Sequence, residues 1–475
     1  MSYAAAIDQL SAMAPELHTQ PGQQRRKFSL AEIGALLTAL KNPHRRYRSV
    51  LIAGTNGKGS TASTLASILQ ASGVRTGLYT SPHLVRPNER IRVNGVEIPD
   101  GEFAGLYFRI HDRSQELVLE QKLAQLPSFF ETLTAMALLH FAEQGVEIAV
   151  LEVGMGGRLD ATNIVDPLLS IVTDISLDHT EWLGPTIAAI AREKAGILRP
   201  SGTLITLPQH PEANQVLGEV ATALGTRAVS AVPYMPERPH PAALNGGGAM
   251  ADDAHSSAYP VHALGATITV DSPLHGDHQH RNIALAIAAA VELATHHGLP
   301  VTAASVEQGI RRTNWPGRLE RIDTGGVDWV LDVAHNPAGA WALRAALRSE
   351  FGLGEEAGTR AVLVFGCLRD KPLSEMAQIL FGLFEEVIFA PIASPRATPM
   401  AELLAAAEAV GVRARAAESV EEALTIAEAS TVVSETVAAD RAGGQVGARL
   451  RVVAGSVYLV GEVRPLLLAR AGLNA

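Results

Sequence analysis

Short β-branched runs alternate along most of the chain with stretches in which apolar residues recur every three or four positions. The first pattern is that of a buried strand, the second that of a helix with one apolar face. Their alternation predicts an α/β fold with mostly parallel strands, because each strand must return to the sheet through a helix. Strands are expected over residues 47–53, 75–80, 146–153, 169–175 and 203–207. Helices are expected over 60–72, closed by Gly73, and over 282–295. A further helix should start at Ser29, which has capping-box spacing to Glu32, and run to about Asn42-Pro43. Residues 188–196 read as an amphipathic helix with Lys194 facing solvent.

Two places interrupt this rhythm. Residues 233–260 are rich in Pro, Gly and small polar residues and are expected to form a mobile surface loop. A second α/β series begins near Arg318, with DWVLDVAHNP, AVLVFGCLRD, EEVIFAPI and LRVVAGSVYLVG in succession. A domain boundary is therefore expected within residues 311–317, giving domains over 1–313 and 318–475. No internal repeat is evident.

The length, 475 residues, fits two to four domains at roughly 100–200 residues each. A net charge of −10 argues against a nucleic-acid partner, which requires clustered Lys and Arg. Two small basic clusters, Arg25-Arg26-Lys27 and HRRYR at 44–48, are expected to be solvated surface. The single cysteine, Cys367, excludes an intramolecular disulfide. The N-terminus has no basic segment ahead of an apolar one, and no run approaches the ~18 apolar residues of a membrane span. The expectation is a soluble, cytoplasmic, monomeric protein without a membrane or nucleic-acid partner.

Candidate chemistry begins at LIAGTNGKGSTASTLASILQASG, residues 51–73. An apolar strand leads into a Gly-rich turn, and a helix starts directly after it. The backbone N–H groups of Gly57, Lys58, Gly59 and Ser60 would face a phosphate at the helix N-terminus, and Lys58 would neutralise its oxygens. The spacing is not that of the common G-x-x-x-x-G-K-[ST] loop, since Ile52 stands at its first Gly and Gly59 follows the Lys. A Gly-rich turn with an exposed Lys would look the same. Other groups stand beyond strand ends, where open α/β sheets bind ligands. Glu152 ends one strand, Asp178 and His179 follow another, and Ser81 in TSPHL follows a third. A carboxylate there can hold Mg²⁺, which prefers oxygen ligands.

The segments GTNGKGS, YTSPHL, ERIRVNG, FFETLTA, LEVGMGGRLDATN, SLDHTEWLG, REKAGIL, HQHRN, WPGRLE, LDVAHNP and GSVYLVGEVR occur in an order that resembles the folylpolyglutamate synthase/dihydrofolate synthase family, part of the wider Mur ligase group. The resemblance runs from about residue 28 to 466, and that family's loop carries a Gly after the Lys. It implies an N-terminal P-loop ATPase-like domain with a mostly parallel sheet and a smaller, Rossmann-like C-terminal α/β domain. It implies an ATP-dependent amide ligase that phosphorylates a folate or dihydropteroate carboxylate, whose acyl phosphate L-glutamate then attacks. A Mur-type ligase with another acyl substrate and a P-loop switch or kinase are the competing readings.

By position, the resemblance gives Gly57, Lys58, Gly59, Ser60, Asn282, Arg318 and Asp332 to ATP. It gives Ser81, Glu152 and His179 to Mg²⁺, and Lys194 to the same site as a lysine carbamylated by CO₂. It places Phe129, Phe130, Glu131, Arg158, Leu159 and Asp160 on the folate side, and His335 against the phosphoryl group or the incoming glutamate. Two departures from the family pattern are Val333, where some relatives carry Gly, and Pro372, where relatives often have an acidic residue.

Overall fold

The computed structural model describes residues 2–13, 29–237, 258–354, 361–430 and 449–473. They form two compact units: Met1–Pro273 with His280–Asn314, and Leu274–Gln279 with Trp315–Ala475. The short segment Leu274–Gln279 thus belongs with the second unit, although it lies far upstream of the boundary expected from sequence.

The larger unit is built on an eight-stranded sheet. Its strands are β1 (Arg48–Ala53), β2 (Thr76–Tyr79), β3 (Ile91–Val93), β4 (Val96–Glu97), β5 (Ile148–Glu152), β6 (Leu169–Val172), β7 (Thr203–Thr206) and β8 (Arg227–Ser230). Their order is β4-β3-β2-β5-β1-β6-β7-β8. The six strands from β2 to β8 in that order pair in parallel, while β3 and β4 are antiparallel. The central strands are buried on both faces, as parallel sheets between helical layers are. Along β1, Leu51 and Ala53 enter one core while Val50 and Ile52 enter the other, the two-residue alternation of a strand. Each fully buried Leu or Ile stabilises the fold by about 1.5–3 kcal/mol relative to exposure.

The helix Lys58–Ala71 connects β1 to β2, starts two residues before expectation, and ends ahead of Gly73. On it lies the helix Ala303–Arg311, close enough that a Cβ on Gly309 would stand 2.4 Å from Ile68 Cα. Ser67 Oγ donates to Gly309 O at 2.7 Å, and Ser63 Oγ to Asn314 O at 3.1 Å. The helix Leu30–Ala39 stops short of Asn42, and its Ser29 cap accepts from Ala31 N. The helix Asp277–His297 starts five residues earlier than the apolar pattern indicated.

Within the segment expected to be a loop, residues 238–257 lie outside those described. Tyr259 and Pro260 belong instead to β9 (Tyr259–Ala263), which forms an antiparallel pair with β10 (Ala266–Val270). The cluster at residues 25–27 also lies outside the described residues. In HRRYR the arginines are exposed, but His44 is buried and Tyr47 donates to Leu138 O, so only part of that cluster is solvated surface.

The smaller unit carries β11 (Glu320–Asp323), β12 (Val327–Leu331), β13 (Ala361–Phe365), β14 (Glu386–Phe389), β15 (Ala414–Ala416) and β16 (Arg449–Ala454). The order is β11-β12-β16-β13-β14-β15, parallel except for β11. Among the described residues no helix is long and apolar enough to cross a membrane.

Candidate active site

In the larger sheet, β1 leads to β2 on one side and β6 leads to β7 on the other. The crevice past the carboxyl ends of β1 and β6 is therefore the switch point at which such sheets take ligands. The Gly-rich loop expected to bind phosphate, the candidate phosphate loop, lies there. Thr55 N and Asn56 N both donate to Asp174 O, at 2.8 and 3.3 Å. Thr55 Oγ1 exchanges hydrogen bonds with the Ser176 backbone, and Thr173 Oγ1 donates to Asn56 O at 2.7 Å. The loop is thus held on the segment that follows β6.

Gly57 caps the next helix at φ 85°, a backbone setting that disfavours any side chain. A Cβ there would also stand 2.0 Å from Asn282 Oδ1, so the Asn282 side chain lies directly on the loop. The first N–H groups of a helix have no intrahelical acceptor, and here they belong to Lys58, Gly59 and Ser60. Lys58 Nζ donates to Thr55 O at 3.1 Å and folds back over the turn.

Lys194 departs from the solvent-facing position read from its helix, Ile187–Ala195. It is 4% exposed, and Nζ donates to Gly54 O at 2.7 Å, beneath the phosphate loop. The helix is amphipathic, but the loop covers the face on which Lys194 lies. Burial, and then the Lys58 charge, lower its pKa to about 7, while Asp178 and Asp160 act in the opposite sense.

Ser81 and Glu152 meet across the ends of the paired strands β2 and β5, where Ser81 N donates to Glu152 Oε2 at 3.0 Å. Glu152 is buried, and the Ser81-Pro82 peptide is cis. His179 stands on the loop after β6 at φ 50°, a left-handed setting uncommon for a residue with a side chain. Its N–H donates to Asp178 Oδ1 at 2.9 Å. Among the described residues no group of three or more His, Cys, Asp and Glu is arranged to hold a metal. The candidate set draws instead on the Ser81 hydroxyl and the Glu152 carboxylate, hard oxygens that suit Mg²⁺.

The folate-side candidates divide by role. Phe129 and Phe130 open the helix Phe129–Glu143 and are half-buried. Phe130 lies on the backbone of Gly154, where a Cβ would stand 2.5 Å from its ring. Arg90 stacks over Phe129 at 5.3 Å. Glu131 is engaged locally: its carboxylate accepts from Ser128 N and Oγ in a capping box. Asp160 is likewise held by its own loop, accepting from Met155 N, Thr162 N and Thr162 Oγ1, while burial raises its pKa. Leu159 is half-buried, and Arg158 is exposed and paired with Glu193 at 2.9 Å. Arg90 and His83 lie in ERIRVNG and YTSPHL, but no spacing in those segments gives either residue a role. Arg90 Nε donates to His83 Nδ1 at 2.8 Å, and burial followed by the Arg90 charge lowers the His83 pKa to about 3.

In the smaller unit Asp332 follows β12. Its carboxylate accepts from Ala334 N at 2.8 Å and Leu319 N at 3.0 Å. Burial raises its pKa, while Arg318 and His278 pull it down. His335 Nδ1 lies 2.9 Å from Val333 O; a carbonyl only accepts, so Nδ1 carries a proton and the contact orients the ring. Arg318 donates to Gly317 O.

Residues 52–290 match the Mur ligase middle domain, and residues 317–437 match the Mur ligase glutamate ligase domain. The chain is 34% identical over 440 residues to a folylpolyglutamate synthase of Lacticaseibacillus casei, covering 91% of this chain and 93% of that one. It is 36% identical over 451 residues to a dihydrofolate synthase/folylpolyglutamate synthase of Mycobacterium tuberculosis, covering 92% and 90%. Among solved structures it is similar to Mycobacterium tuberculosis folylpolyglutamate synthase complexed with ADP and AMPPCP, with TM-score 0.81, 32% identity and coverage of 98% and 99%. It is also similar to the AMPPCP–folate complex of a folylpolyglutamate synthase, with TM-score 0.76, 28% identity and coverage of 98% and 100%.

Proposed function

The chain belongs to the folylpolyglutamate synthase/dihydrofolate synthase family of Mur ligases, ATP-dependent enzymes that ligate glutamate, and from that premise we propose the division of labour among its residues. The observation that carries the reading is the phosphate loop at the switch point, with Lys194 beneath it and the Ser81–Glu152 pair on the same sheet edge. The substrate carboxylate attacks the γ-phosphorus of ATP, and the bond to the β–γ bridging oxygen breaks, releasing ADP. The amine of L-glutamate then attacks the acyl carbon and phosphate departs. A carboxylate is a poor electrophile, and phosphorylation supplies its leaving group.

The N–H groups of Gly57, Lys58, Gly59 and Ser60 receive the phosphate oxygens, Lys58 turns from Thr55 O to the same charge, and Asn282 borders the loop. Glu152 and Ser81, with His179, would hold Mg²⁺, which offsets the charge on the transferred phosphoryl when bound. Arg318 and Asp332 serve the nucleotide side. His335, with Nδ1–H on Val333 O, offers Nε2 to the proton lost by the attacking amine. The Phe129 and Phe130 rings suit a flat heterocycle, with Arg158 and Leu159 on the same side and Glu131 and Asp160 ordering the local backbone.

Lys194 is carbamylated in this reading. A neutral amine is required to add CO₂, and burial with a pKa of about 7 supplies one. The amine lone pair forms the N–C bond and one proton leaves, giving an anionic carbamate whose remaining N–H can still donate to Gly54 O. ¹³C-bicarbonate NMR near neutral pH should show a carbamate signal that Lys194→Ala lacks; its absence, with full activity in CO₂-depleted buffer, rejects the modification. A monomer working in the cytoplasm is part of the same reading, and light scattering tests the monomer. The central test is product mass after incubation with ATP, Mg²⁺ and L-glutamate, comparing dihydropteroate and tetrahydrofolate. Glutamate addition to neither would sink the proposed substrate class.

A further inference from the structure

Arg281 and Asp174 form a fork-to-fork ion pair inside the larger unit. Arg281 Nε lies 2.8 Å from Asp174 Oδ2, and Nη2 lies 2.6 Å from Oδ1. Nη2 also donates to Pro208 O at 2.9 Å, in the segment after β7. The pair is part-exposed, with side chains 28% and 43% accessible, and exposed pairs contribute little to global stability. Its position is more informative than its strength. The Asp174 carbonyl oxygen accepts from Thr55 N and Asn56 N of the phosphate loop. Asn282, the residue after Arg281, is 5% exposed and lies on Gly57. One residue therefore carries the loop on its carbonyl and the Asn282 helix on its carboxylate.

We propose that Arg281 and Asp174 are a positioning pair that sets nucleotide affinity by holding Asn282 in register with the phosphate loop. The argument is geometric. A bidentate pair fixes direction as well as distance, which a single point contact does not. Asp174 is anchored to the loop through its backbone, so the fork transmits the loop's position to the helix. Neither side chain needs to touch the nucleotide. The inference rests on the reading of Asn282 as a nucleotide-side residue.

The test uses the full-length enzyme and four variants: Arg281→Met, Arg281→Lys, Asp174→Asn and the Arg281→Met/Asp174→Asn double. Each is first checked for an unchanged melting temperature. ADP affinity is then read by calorimetry, and KM is measured separately for ATP, folate and glutamate. Arg281→Met and Asp174→Asn should each weaken ADP and raise the ATP KM about tenfold, with the folate and glutamate KM within about twofold. Arg281→Lys keeps the charge but loses the fork and should fall between wild type and Arg281→Met, and it serves as the test should Arg281→Met fail to fold. The double variant should be no worse than the worse single, since the pair acts as one unit. Fully additive losses, or folded single variants with wild-type ADP affinity, would overturn the pairing. Asn282→Ala separates the two layers. If it weakens ADP while the Arg281 variants do not, the clamp fails alone; if it leaves ADP affinity unchanged, the reading of Asn282 fails and the clamp fails with it.

Discussion

The two units place candidate residues at the carboxyl ends of parallel strands, but they build those edges differently. After β1 in the larger unit the edge is made mainly of backbone: a Gly-rich loop, the first N–H groups of a helix and the Asp174 carbonyl. In the smaller unit it is made of side chains. The Asp332 carboxylate organises the backbone after β12, and the His335 imidazole is oriented on Val333 O. A backbone edge demands small residues at fixed spacing, and a side-chain edge demands particular functional groups. The two should therefore fail differently when altered.

The largest effect is expected where the backbone edge is filled. Gly57→Ala puts a methyl against Asn282 at φ 85°, and turnover should fall by about 100-fold or more, as when preorganised donors are lost. Lys58→Ala should abolish product formation with the fold intact. Near-normal turnover in Gly57→Ala would mean that the edge is not backbone-built, and near-normal turnover in Lys58→Ala would reject the assignment of this loop to phosphate. Next is Asp332→Ala, which strips Leu319 N and Ala334 N of their acceptor. Unmet donors cost about 1–3 kcal/mol each, so the smaller unit should melt earlier as activity falls. Lost activity with an unchanged melting temperature would assign Asp332 to ligand contact alone.

A smaller effect concerns Lys194, a buried charged side chain that supports the backbone edge through Gly54 O. Its folded pKa of about 7 lies under the ordinary lysine value of 10.5, so between those limits the unfolded chain binds more protons. Stability relative to Lys194→Met should therefore rise as pH increases from about 7 to about 10.5 in CO₂-free buffer. A flat difference in denaturant titrations across that window would contradict the burial argument. The smallest effect belongs to Glu131→Ala, which removes half of a capping box. It should cost about 1 kcal/mol of stability and shift the folate KM only modestly. A folate KM raised by orders of magnitude would make Glu131 a direct contact instead.

The same contrast explains what could be read from sequence. β1, β2, β5, β6 and β7 of the larger sheet and its Gly-rich loop announce themselves through β-branched runs and glycine spacing, which are local signals; β3 and β4 are too short to do so, and they and β8 are absent from the expected strands. Lys194 does not, because helical periodicity gives the face of a lysine but not what covers it. The family resemblance assigns Glu131 and Asp160 to the folate side. That their carboxylates serve Ser128 and the 155–162 turn depends on rotamers that no spacing encodes. The β9–β10 hairpin was hidden by the Pro- and Gly-rich composition around it. The Arg281–Asp174 fork joins residues more than a hundred positions apart, beyond any local pattern.

Gly309 shows how far a constraint can lie from the chemistry. A methyl group at that position would push on the Ile68 backbone, and Ile68 lies in the helix whose first turn begins at Lys58. The room available to the phosphate loop is therefore decided in part on the far side of its helix. A lineage of this chain could enlarge residue 309 only by letting the helix retreat, and with it the donors at its tip. Substitutional freedom at this quiet contact should be narrower than at many residues facing the ligand.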